Sequence, residues 1–529
     1  MRLGRLAGPE ALLAWAAAFV GAIGVASALT PEMADRFRIV HGVLPPGVPE
    51  AARILALAFG IALIWLSRSL ARRRRRAWQL GVVLVVATAA AHLAKGLDVE
   101  EAVISLLLLV ALLRYRRRFD VPGDPATMRP LIAVGTALAA AGAVVLGVEL
   151  HGGELSDRLS DVFTALGILL GFTGLYFWLR PFSEAVAQTV GERRLARALV
   201  DAYGSDSLSF FALRRDKSYF FSPSRRAFLA YRVIAGSVLI SGDPVGAAEE
   251  FDALLSEFKR VARAHGWRLA VLGASEGQLA RYRALGLRPI LVGEEAVLRP
   301  AEFSLDGRAI RKVRQSVSRL TKAGYRLRVV ASEAAEPGLR AALDEISGLW
   351  LGNQTERGFS MSIDDLYVPG TVFAVAESED GTVGGFLHLA PTPAGGGWSL
   401  STMRRRPDSP NGLTEFLIVE TLAWAKEQGA CEVSLNFCAL TDWIAPERAT
   451  TVTRRIIRRG LLAADSVFQL ERLYSFNRKF FPEWRPRYLC VEKLTDLPLV
   501  GLAYLHVEAL LVPPRPWPRK GRARELAAR

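Results

Sequence analysis

Six apolar stretches fill the first 180 residues of this 529-residue chain. Each is close to the roughly 20 apolar residues that an α-helix needs to cross a bilayer. The fourth is the weakest candidate, because Glu100 and Glu101 lie near its start and leave a shorter apolar part. The pattern predicts an α-helical polytopic membrane domain over residues 1–190, with spans at about 11–29, 51–70, 77–95, 98–114, 129–150 and 161–180.

Arginine clusters alternate with these stretches. They precede the first stretch (Arg2 and Arg5), separate the second from the third (72–76) and follow the fourth (114–118). The alternate loops, such as 151–161, carry few positive charges. Because loops rich in Lys and Arg stay on the cytoplasmic side, we expect a multi-pass protein of the plasma membrane. Its N-terminus and everything after Arg180 are expected to be cytoplasmic.

After the last stretch the pattern becomes that of a folded α/β region. Residues 191–204 are polar and charged and are predicted to form a linker. Short strand-like runs then alternate with helical patterns twice, which predicts two lobes, 205–300 and 301–495. Residues 496–529 are predicted to be a basic tail that lies on anionic lipid. Predicted strands are 208–213, 218–222, 227–234, 237–241 and 268–272 in the first lobe, and 325–330, 372–376, 384–389, 398–402 and 432–437 in the second.

Aromatic and cationic residues interleave near the end of the second lobe, over 470–489. Helical spacing is expected to put Leu473, Phe476, Phe480 and Phe481 on one side, with Arg478 and Lys479 at the rim. Pro482 is expected to stop the helix. Such a rim suits an anion, although an ordinary amphipathic helix with a solvated basic face has the same pattern.

A second basic segment, 403–412 (MRRRPDSPNG), leads into a predicted helix. Arginine side chains beside free N–H groups at a helix start suit a phosphate group. The alternative is a basic loop whose helix is capped by Asn411. Neither the three cysteines nor the six dispersed histidines have metal-ligand spacing, so no metal site is expected. The net charge of +15 favours anionic partners without choosing among them.

Seven segments together resemble a known family. They are 216–221 (DKSYFF), 230–232 (AYR), 242–244 (GDP), 356–360 (ERGFS), 411–412 (NG), 434–437 (SLNF) and 476–488. In this order they are similar to the catalytic domain of the phosphatidylglycerol lysyltransferases, also called lysyl-phosphatidylglycerol synthases or multiple peptide resistance factors. The sequence looks most like the actinobacterial branch, but no fused lysyl-tRNA synthetase follows here.

This resemblance implies two GNAT-like lobes on the cytoplasmic side of a membrane domain. It also implies transfer of an aminoacyl group from aminoacyl-tRNA to the glycerol hydroxyl of phosphatidylglycerol. The product would be a less anionic lipid that attracts cationic antimicrobial peptides less strongly. An aminoacyl ester is already activated, so the reaction needs alignment, proton removal and oxyanion stabilisation, and no cofactor is expected.

The candidate site residues follow from the motif positions. Lys479 and Arg404 are expected to stabilise charge or hold phosphate, and Glu356 to meet the amino group of the aminoacyl moiety or to pair with Arg357. Asp243 is a candidate for a chemical role, with turn formation as the alternative. Further substrate-binding candidates are Arg357, Ser360, Tyr231, Ser401, Asn411, Gly412, Asn436 and Arg478.

One departure from the family affects specificity. Many relatives have Asp-Leu-Met-Arg where this chain has Ser401-Thr402-Met403-Arg404, so an acidic group expected near the transferred amino acid is missing. The amino acid and the lipid acceptor therefore stay open. Two other functions are also open: a coenzyme-A-dependent acyltransferase that uses the 404–412 loop, and a non-catalytic membrane tether that binds RNA through the basic 308–322 helix and the tail.

Overall fold

The computed structural model describes residues 8–30, 48–96, 98–150, 157–180, 182–352, 358–359, 362–439 and 470–508. It divides into two compact units, Met1–Ser183 with Val261–Trp267, and Glu184–Arg260 with Arg268–Arg529.

The first unit contains long apolar helices. Its helices are α1 (Pro9–Leu29), α2 (Val48–Leu70), α3 (Arg75–Gly96), α4 (Val99–Arg114), α5 (Met128–Leu150) and α6 (Asp157–Leu179). Among the described residues, five helices are long and apolar enough to cross a membrane. The exception is α4, whose 16 residues extend about 24 Å at 1.5 Å per residue, less than the ~30 Å hydrocarbon core. The sixth crossing therefore stays a prediction.

Gly21 of α1 and Gly60 of α2 allow these two helices to pack closely. A Cβ atom on Gly21 would lie 2.5 Å from the carbonyl oxygen of Gly60, and one on Gly60 would lie 2.7 Å from that of Gly21. Small residues at a helix interface let two backbones approach, which is how helices associate where lipid removes the hydrophobic driving force.

Within the described part of the second unit, twelve strands form one sheet. The pairing order is β1-β2-β3-β5-β12-β6-β11-β10-β9-β8-β7, and β4 pairs with β2. The strands are β1 (Ser218–Phe221), β2 (Ala227–Ile234), β3 (Ser237–Ser241), β4 (Val245–Gly246), β5 (Arg268–Ser275), β6 (Arg288–Leu298), β7 (Arg326–Ala331), β8 (Val372–Glu377), β9 (Val383–Thr392), β10 (Gly397–Arg405), β11 (Val433–Ala439) and β12 (Glu483–Val491).

Each half of this sheet repeats one arrangement, an antiparallel run that ends in a parallel pair. The parallel pairs are β3 with β5 and β10 with β11. A helix connects the two strands of each pair, namely α8 (Phe251–Ala264) and α12 (Leu413–Glu427). This is the GNAT-like architecture, and the predicted fold class is confirmed.

The two halves exchange their last strands. β12, from the second half of the sequence, pairs with β5 and β6, while β6, from the first half, pairs with β11. The division at residue 300 is therefore a division of the sequence, whereas the sheet is continuous across it. Pro486 lies within β12, directly before a shift in register between Arg487 and Tyr488, where a missing N–H is tolerated.

Several sequence predictions are wrong at the ends of this unit. The predicted linker is mostly a helix, α7 (Val190–Tyr203), which begins with a capping box between Thr189 and Glu192. Its apolar face is buried with Phe210 and Phe211. The predicted strand 208–213 is a 3-10 turn, Ser209–Leu213. The predicted tail begins with another packed helix, α14 (Leu497–Val507), and residues 509–529 lie outside the described part.

The remaining helices cover the sheet. They are α9 (Leu279–Ala284), α10 (Arg311–Lys322), α11 (Pro337–Leu351) and α13 (Leu470–Asn477). In the second half, α10 and α12 bury their apolar sides in the largest core cluster of the unit, together with Leu400, Leu435 and Phe480. This core fixes the position of β10 and β11, which carry several of the candidate residues.

Candidate functional site

The second half of the sheet opens between its parallel strands. β10 and β11 pair only at Trp398 with Val433 and at Ser399 with Ser434, and then diverge. Asn436 sits at the divergence with a φ of 71°. Its side-chain amide donates to the Leu400 carbonyl at 2.8 Å. The left-handed backbone of this non-glycine residue is a strained conformation of the kind that clusters at functional sites.

Arg404 lies on β10 beyond this divergence and is only 5% exposed. It pairs in register with Phe386 of β9, two residues before the buried His388. Burial, and then the charge of Arg404, lower the pKa of His388 to about 3, and the ring Nε2 lies 2.9 Å from Thr371 Oγ1. Arg404 is therefore a buried cation on a strand beside a neutral histidine, whereas the sequence led us to expect it at a helix start or in a basic loop.

The rest of that basic segment makes local contacts. Arg405 donates to the Ser409 carbonyl and hydroxyl, both at 3.2 Å, and Arg406 pairs with Glu345 at 3.2 Å. The residue at the helix N-cap is Gly412, so the alternative of a cap supplied by Asn411 is wrong.

Gly412 serves the packing of α12 on α10. Its φ is 91°, and an added Cβ would lie 2.7 Å from Ser316 Cβ. The Asn411 carbonyl accepts a hydrogen bond from Arg319 on α10. The left-handed φ and the short distance to Ser316 both favour glycine at position 412 for steric reasons. The candidates Asn411 and Gly412 thus join the start of α12 to α10.

Lys479 follows α13 in a 3-10 turn and is exposed. Its Nζ lies 2.8 Å from Glu415 Oε1, in the first turn of α12, and 4.9 Å from the centre of the Phe476 ring. Arg478 beside it is also exposed. Phe480 is buried as expected, but Phe481 adopts a φ of 54° and is 60% exposed, because the helix has ended before it. The prediction that Phe481 shares the apolar face is wrong.

In the first half of the sheet, Asp243 follows β3 and bonds to the end of β5 and to α9. Its carboxylate accepts hydrogen bonds from Tyr282 Oη at 2.8 Å and from the Ser275 N–H at 3.1 Å. Burial, reinforced by the charge of Asp206, raises the pKa of Asp243 to about 6. The candidate Tyr231 lies nearby in sequence on β2 and donates to Glu184 at 3.1 Å.

A buried lysine that sequence reasoning missed lies at the start of β1. Lys217 has no exposed surface, and its Nζ donates to the Phe211 carbonyl at 2.6 Å and to Ser241 Oγ at 2.7 Å. The same ammonium group lies 4.7 Å from the centre of the Phe359 ring. Burial lowers the pKa of Lys217 to about 7. Its place in the 216–221 motif was the available signal.

The Gly358–Phe359 end of the 356–360 motif is held by both halves of the unit. Arg214 donates to the Gly358 carbonyl and to the Ser362 carbonyl, the latter at 2.8 Å. From the second half, Ser401 Oγ accepts from the Ile363 N–H at 2.9 Å. Glu356, Arg357 and Ser360 lie outside the described residues. Among the described residues of this segment, Phe359 contacts Lys217, Gly358 bonds to Arg214, and Ile363 bonds to Ser401.

A second buried network crosses the exchanged strands. Arg487 of β12 pairs with Glu295 of β6 at 2.5 Å and with Asp206 at 2.8 Å. Ser434 Oγ of β11 donates to Glu295 at 2.5 Å. Burial opposes the charge on Glu295, yet the Arg487 guanidinium keeps the pKa of that carboxyl below its ordinary value. This network joins the SLNF segment to the first half.

Among the residues that the structure describes, no group of three or more His, Cys, Asp and Glu side chains is placed to hold a metal ion. The arrangement instead offers buried cations, a strained asparagine at the divergence of two parallel strands, and bonds that hold Gly358 and Ile363. A GNAT-like sheet with such a divergence, in a chain with apolar helices long enough to span a bilayer, defines a membrane protein of the acyltransferase-like class.

Comparison with known proteins identifies the family. The family model described as phosphatidylglycerol lysyltransferase, C-terminal, matches residues 197–491. That is more than half of the chain, and the chain belongs to this family. The resemblance noted from the seven segments is confirmed.

Curated relatives include the lysylphosphatidylglycerol biosynthesis bifunctional protein LysX of Rhodococcus opacus (strain B4), 36% identical over 388 residues, which cover 72% of this chain and 34% of that protein. The protein of the same name from Mycobacterium sp. (strain KMS) is 32% identical over 520 residues, covering 87% and 46%. This chain thus matches a third to just under half of the length of these relatives.

Two solved structures have the same fold. One is the C-terminal domain of a putative lysylphosphatidylglycerol synthetase from Agrobacterium fabrum, with a TM-score of 0.53 and 26% identity, covering 60% of this chain and 98% of that one. The other is L-PGS from Bacillus licheniformis, with a TM-score of 0.54 and 24% identity, covering 62% and 98%.

Proposed function

We propose that this chain transfers an aminoacyl group from aminoacyl-tRNA to the glycerol hydroxyl of phosphatidylglycerol in the membrane. The observation that carries this proposal is the family match over residues 197–491, which includes both halves of the exchanged sheet and all the candidate residues. The LysX relatives are named for lysylphosphatidylglycerol biosynthesis.

The reaction needs little beyond positioning and charge stabilisation. An aminoacyl ester is already activated, so the enzyme must bring the lipid hydroxyl to the ester carbonyl, accept a proton and stabilise the tetrahedral oxyanion. Neither a metal nor a nucleotide is required by this chemistry. The divergence of β10 and β11 supports the proposal, because Arg404 of β10 and Asn436 of β11 lie beyond the last paired residues of these strands.

We assign Arg404 and Lys479 to charge stabilisation. Arg404 is buried, which strengthens its interaction with an anion. Lys479 is exposed and held by Glu415, so it suits a phosphate that arrives from outside. We assign Glu356 to the amino group of the aminoacyl moiety, and Arg357 and Ser360 to substrate binding on the same loop. Asn436, Ser401 and Asp243 are assigned to holding the geometry, since their polar atoms bond to the protein backbone.

The membrane orientation belongs to the same proposal. The arginine clusters favour a cytoplasmic second unit, on the side of the membrane where aminoacyl-tRNA is found, and the proposed product lipid carries less negative charge than its precursor. Cells that make it would bind cationic antimicrobial peptides less strongly, because surface attraction falls with surface charge.

Lipid extraction from cells that express the chain tests the proposal. Thin-layer separation with ninhydrin staining is expected to show a new amino-positive lipid, which is lost in Arg404→Ala and in Lys479→Ala. Lys426→Ala, an exposed lysine on α12, is the matched control and should keep the lipid. An unchanged lipid profile in cells that express the chain well would contradict the proposal.

The same divergence also favours a second candidate, a coenzyme-A-dependent acyltransferase. In that case the 404–412 loop would hold the pyrophosphate. The local contacts of Arg405 and Arg406 count against this candidate, because their guanidinium groups already have partners. Saturable binding of acetyl-coenzyme A by the purified chain, without any amino-positive lipid in cells, would favour it.

A further inference from the structure

The helix α14 has an apolar outer face. Leu499 and Leu502 are 45% and 52% exposed, and Leu494, just before the helix, is 50% exposed. The opposite side is buried by Val500, Ala503 and Val507, which pack in a core cluster with Phe359. A surface helix of a soluble domain normally presents polar residues to water. In α14, leucines take that place.

The length of this apolar segment determines how it can meet a bilayer. Leu494–Val507 is 14 residues long, which is short of the roughly 20 that a crossing needs. A short apolar helix that is packed along one side on a folded domain can lie in the membrane interface instead, with its free side among the acyl chains.

Charge around the helix favours an anionic lipid surface. Residues 509–529, which follow α14 directly, contain six Lys or Arg residues, one Glu and Trp517. The acidic side chains near the helix are engaged with the protein: Asp496 with Arg268 at 4.0 Å, and Glu508 with the Phe359 N–H at 2.8 Å. Cations beside an apolar face are typical of interfacial helices.

We propose that the outer face of α14, formed by Leu494, Leu499 and Leu502, inserts into the phospholipid surface and anchors the second unit there. The helix also contacts the 356–360 motif, because Glu508 accepts from the Phe359 N–H and Phe359 packs in the same cluster. The anchor and the motif loop are therefore joined through one residue. This inference stands on the geometry of α14 and does not require the proposed reaction.

A fluorescent label on the helix tests the insertion in the full-length chain. In a Cys431→Ser background, which leaves only the two buried cysteines Cys438 and Cys490, Leu502→Cys is labelled with an environment-sensitive fluorophore. The chain is reconstituted in vesicles of phosphatidylglycerol and phosphatidylcholine. We expect blue-shifted emission and a loss of intensity when part of the lipid carries a quencher on its acyl chain. The matched control is Glu427→Cys, exposed at the end of α12, which should emit as in water and keep its intensity.

Two results would overturn the inference. Emission at Leu502→Cys that matches the water-exposed control would show that the face stays in solvent. Blue-shifted emission that acyl-chain quenchers do not reduce would show that protein covers the face, either a second copy or residues 509–529. Dilution of the reconstituted chain would expose a face that is covered by a second copy, and deletion of residues 509–529 would expose a face that is covered by those residues. Because no activity is measured, failure here would leave the proposed function untouched.

Discussion

At the scale of single residues, Arg487 is the side chain on which the exchanged sheet most depends. It is 4% exposed and lies between the carboxylates of Glu295 and Asp206. We expect Arg487→Met to lower the free energy of unfolding by about 3–5 kcal/mol, since breaking a buried pair leaves a charge without compensation. Thermal unfolding in detergent measures this in a Cys431→Ser background, where a thiol-reactive dye reports exposure of the buried Cys438 and Cys490.

The neighbouring Arg485 supplies the control for that measurement. It lies on the same strand, is 32% exposed and pairs with Glu432 and Glu483. Arg485→Met should cost about 1 kcal/mol or less, because ion pairs near the surface contribute little. Adding Glu295→Gln to Arg487→Met should recover part of the loss. Equal losses for the two single arginine variants would contradict a special role for the buried network.

Lys217 gives a prediction about pH. Its pKa is about 7 in the folded chain, because of burial and then the charge of Arg214, against 10.5 in the unfolded chain. Between these values the unfolded chain binds a proton that the folded chain has released. The free energy of unfolding should therefore rise with pH across this window, by at most ~1.4 kcal/mol per pH unit. Below the window Lys217 is protonated in both states and adds no pH dependence.

Thermal unfolding of the wild type and of Lys217→Met at pH 6 to 9 measures this contribution. The variant should lack the part of the slope that comes from Lys217, while Lys426→Met, at an exposed site, should keep it. Parallel pH profiles for wild type and Lys217→Met would mean that the amine is not held in a low-pKa site. The groups that face it, Arg214, Asp216, Asp364 and Glu508, are unchanged in both variants.

At the scale of elements, α7 is part of the folded unit. Ala196, Leu199 and Val200 are buried against Phe210 and Phe211. Val200→Asp should destabilise the unit by about 3 kcal/mol or more, because an unpaired carboxylate would be buried. Arg194→Asp, on the exposed side of the same helix, should have little effect. The rate of cleavage by trypsin in detergent compares the two, and resistance in both variants would favour the linker predicted from sequence.

The error about α7 shows which elements local patterns can predict. The short apolar runs Ala227–Ile234 and Ser237–Ser241 gave both strands with their observed bounds, because short runs of this kind bounded by turn residues are typical of buried strands. In α7 five of the 14 residues are charged, and only three apolar residues at helical spacing are buried. The contact with Phe210 that makes them a core face is tertiary, and composition alone does not contain it.

The residues of the candidate site also fall into two groups, those that the sequence indicated and those that only the structure revealed. The motif segments led to Arg404 and Asn436, both beside the opening between β10 and β11. Lys217 and Arg487 lie inside the segments 216–221 and 476–488 but were not selected there, and Glu295 lies in none of the segments, because the importance of all three comes from burial and pairing. Arg487 meets Glu295 only because β12 lies beside β6, 192 residues earlier in the chain. Such a pairing has no local signature in the sequence, so the network was beyond prediction from one chain.

At the scale of the whole molecule, the strand exchange makes the two halves of the second unit interdependent. The first half alone would lack β12, which separates β5 from β6, and the second half alone would lack β6, the partner of β11. Each half would then expose the unpaired edge of a central strand, which favours aggregation.

Expression of the second unit as two chains, 184–300 and 301–529, tests this dependence. Each chain alone should be insoluble, because its edge strands and the apolar faces beside them lack partners. Expressed together, the two should copurify, since the sheet can form from both. A shortened partner, 301–482, which lacks β12 and α14, should fail to rescue 184–300. If 184–300 instead folds alone as a soluble monomer, then β6 can replace β12 beside β5, and the exchange is not needed for folding.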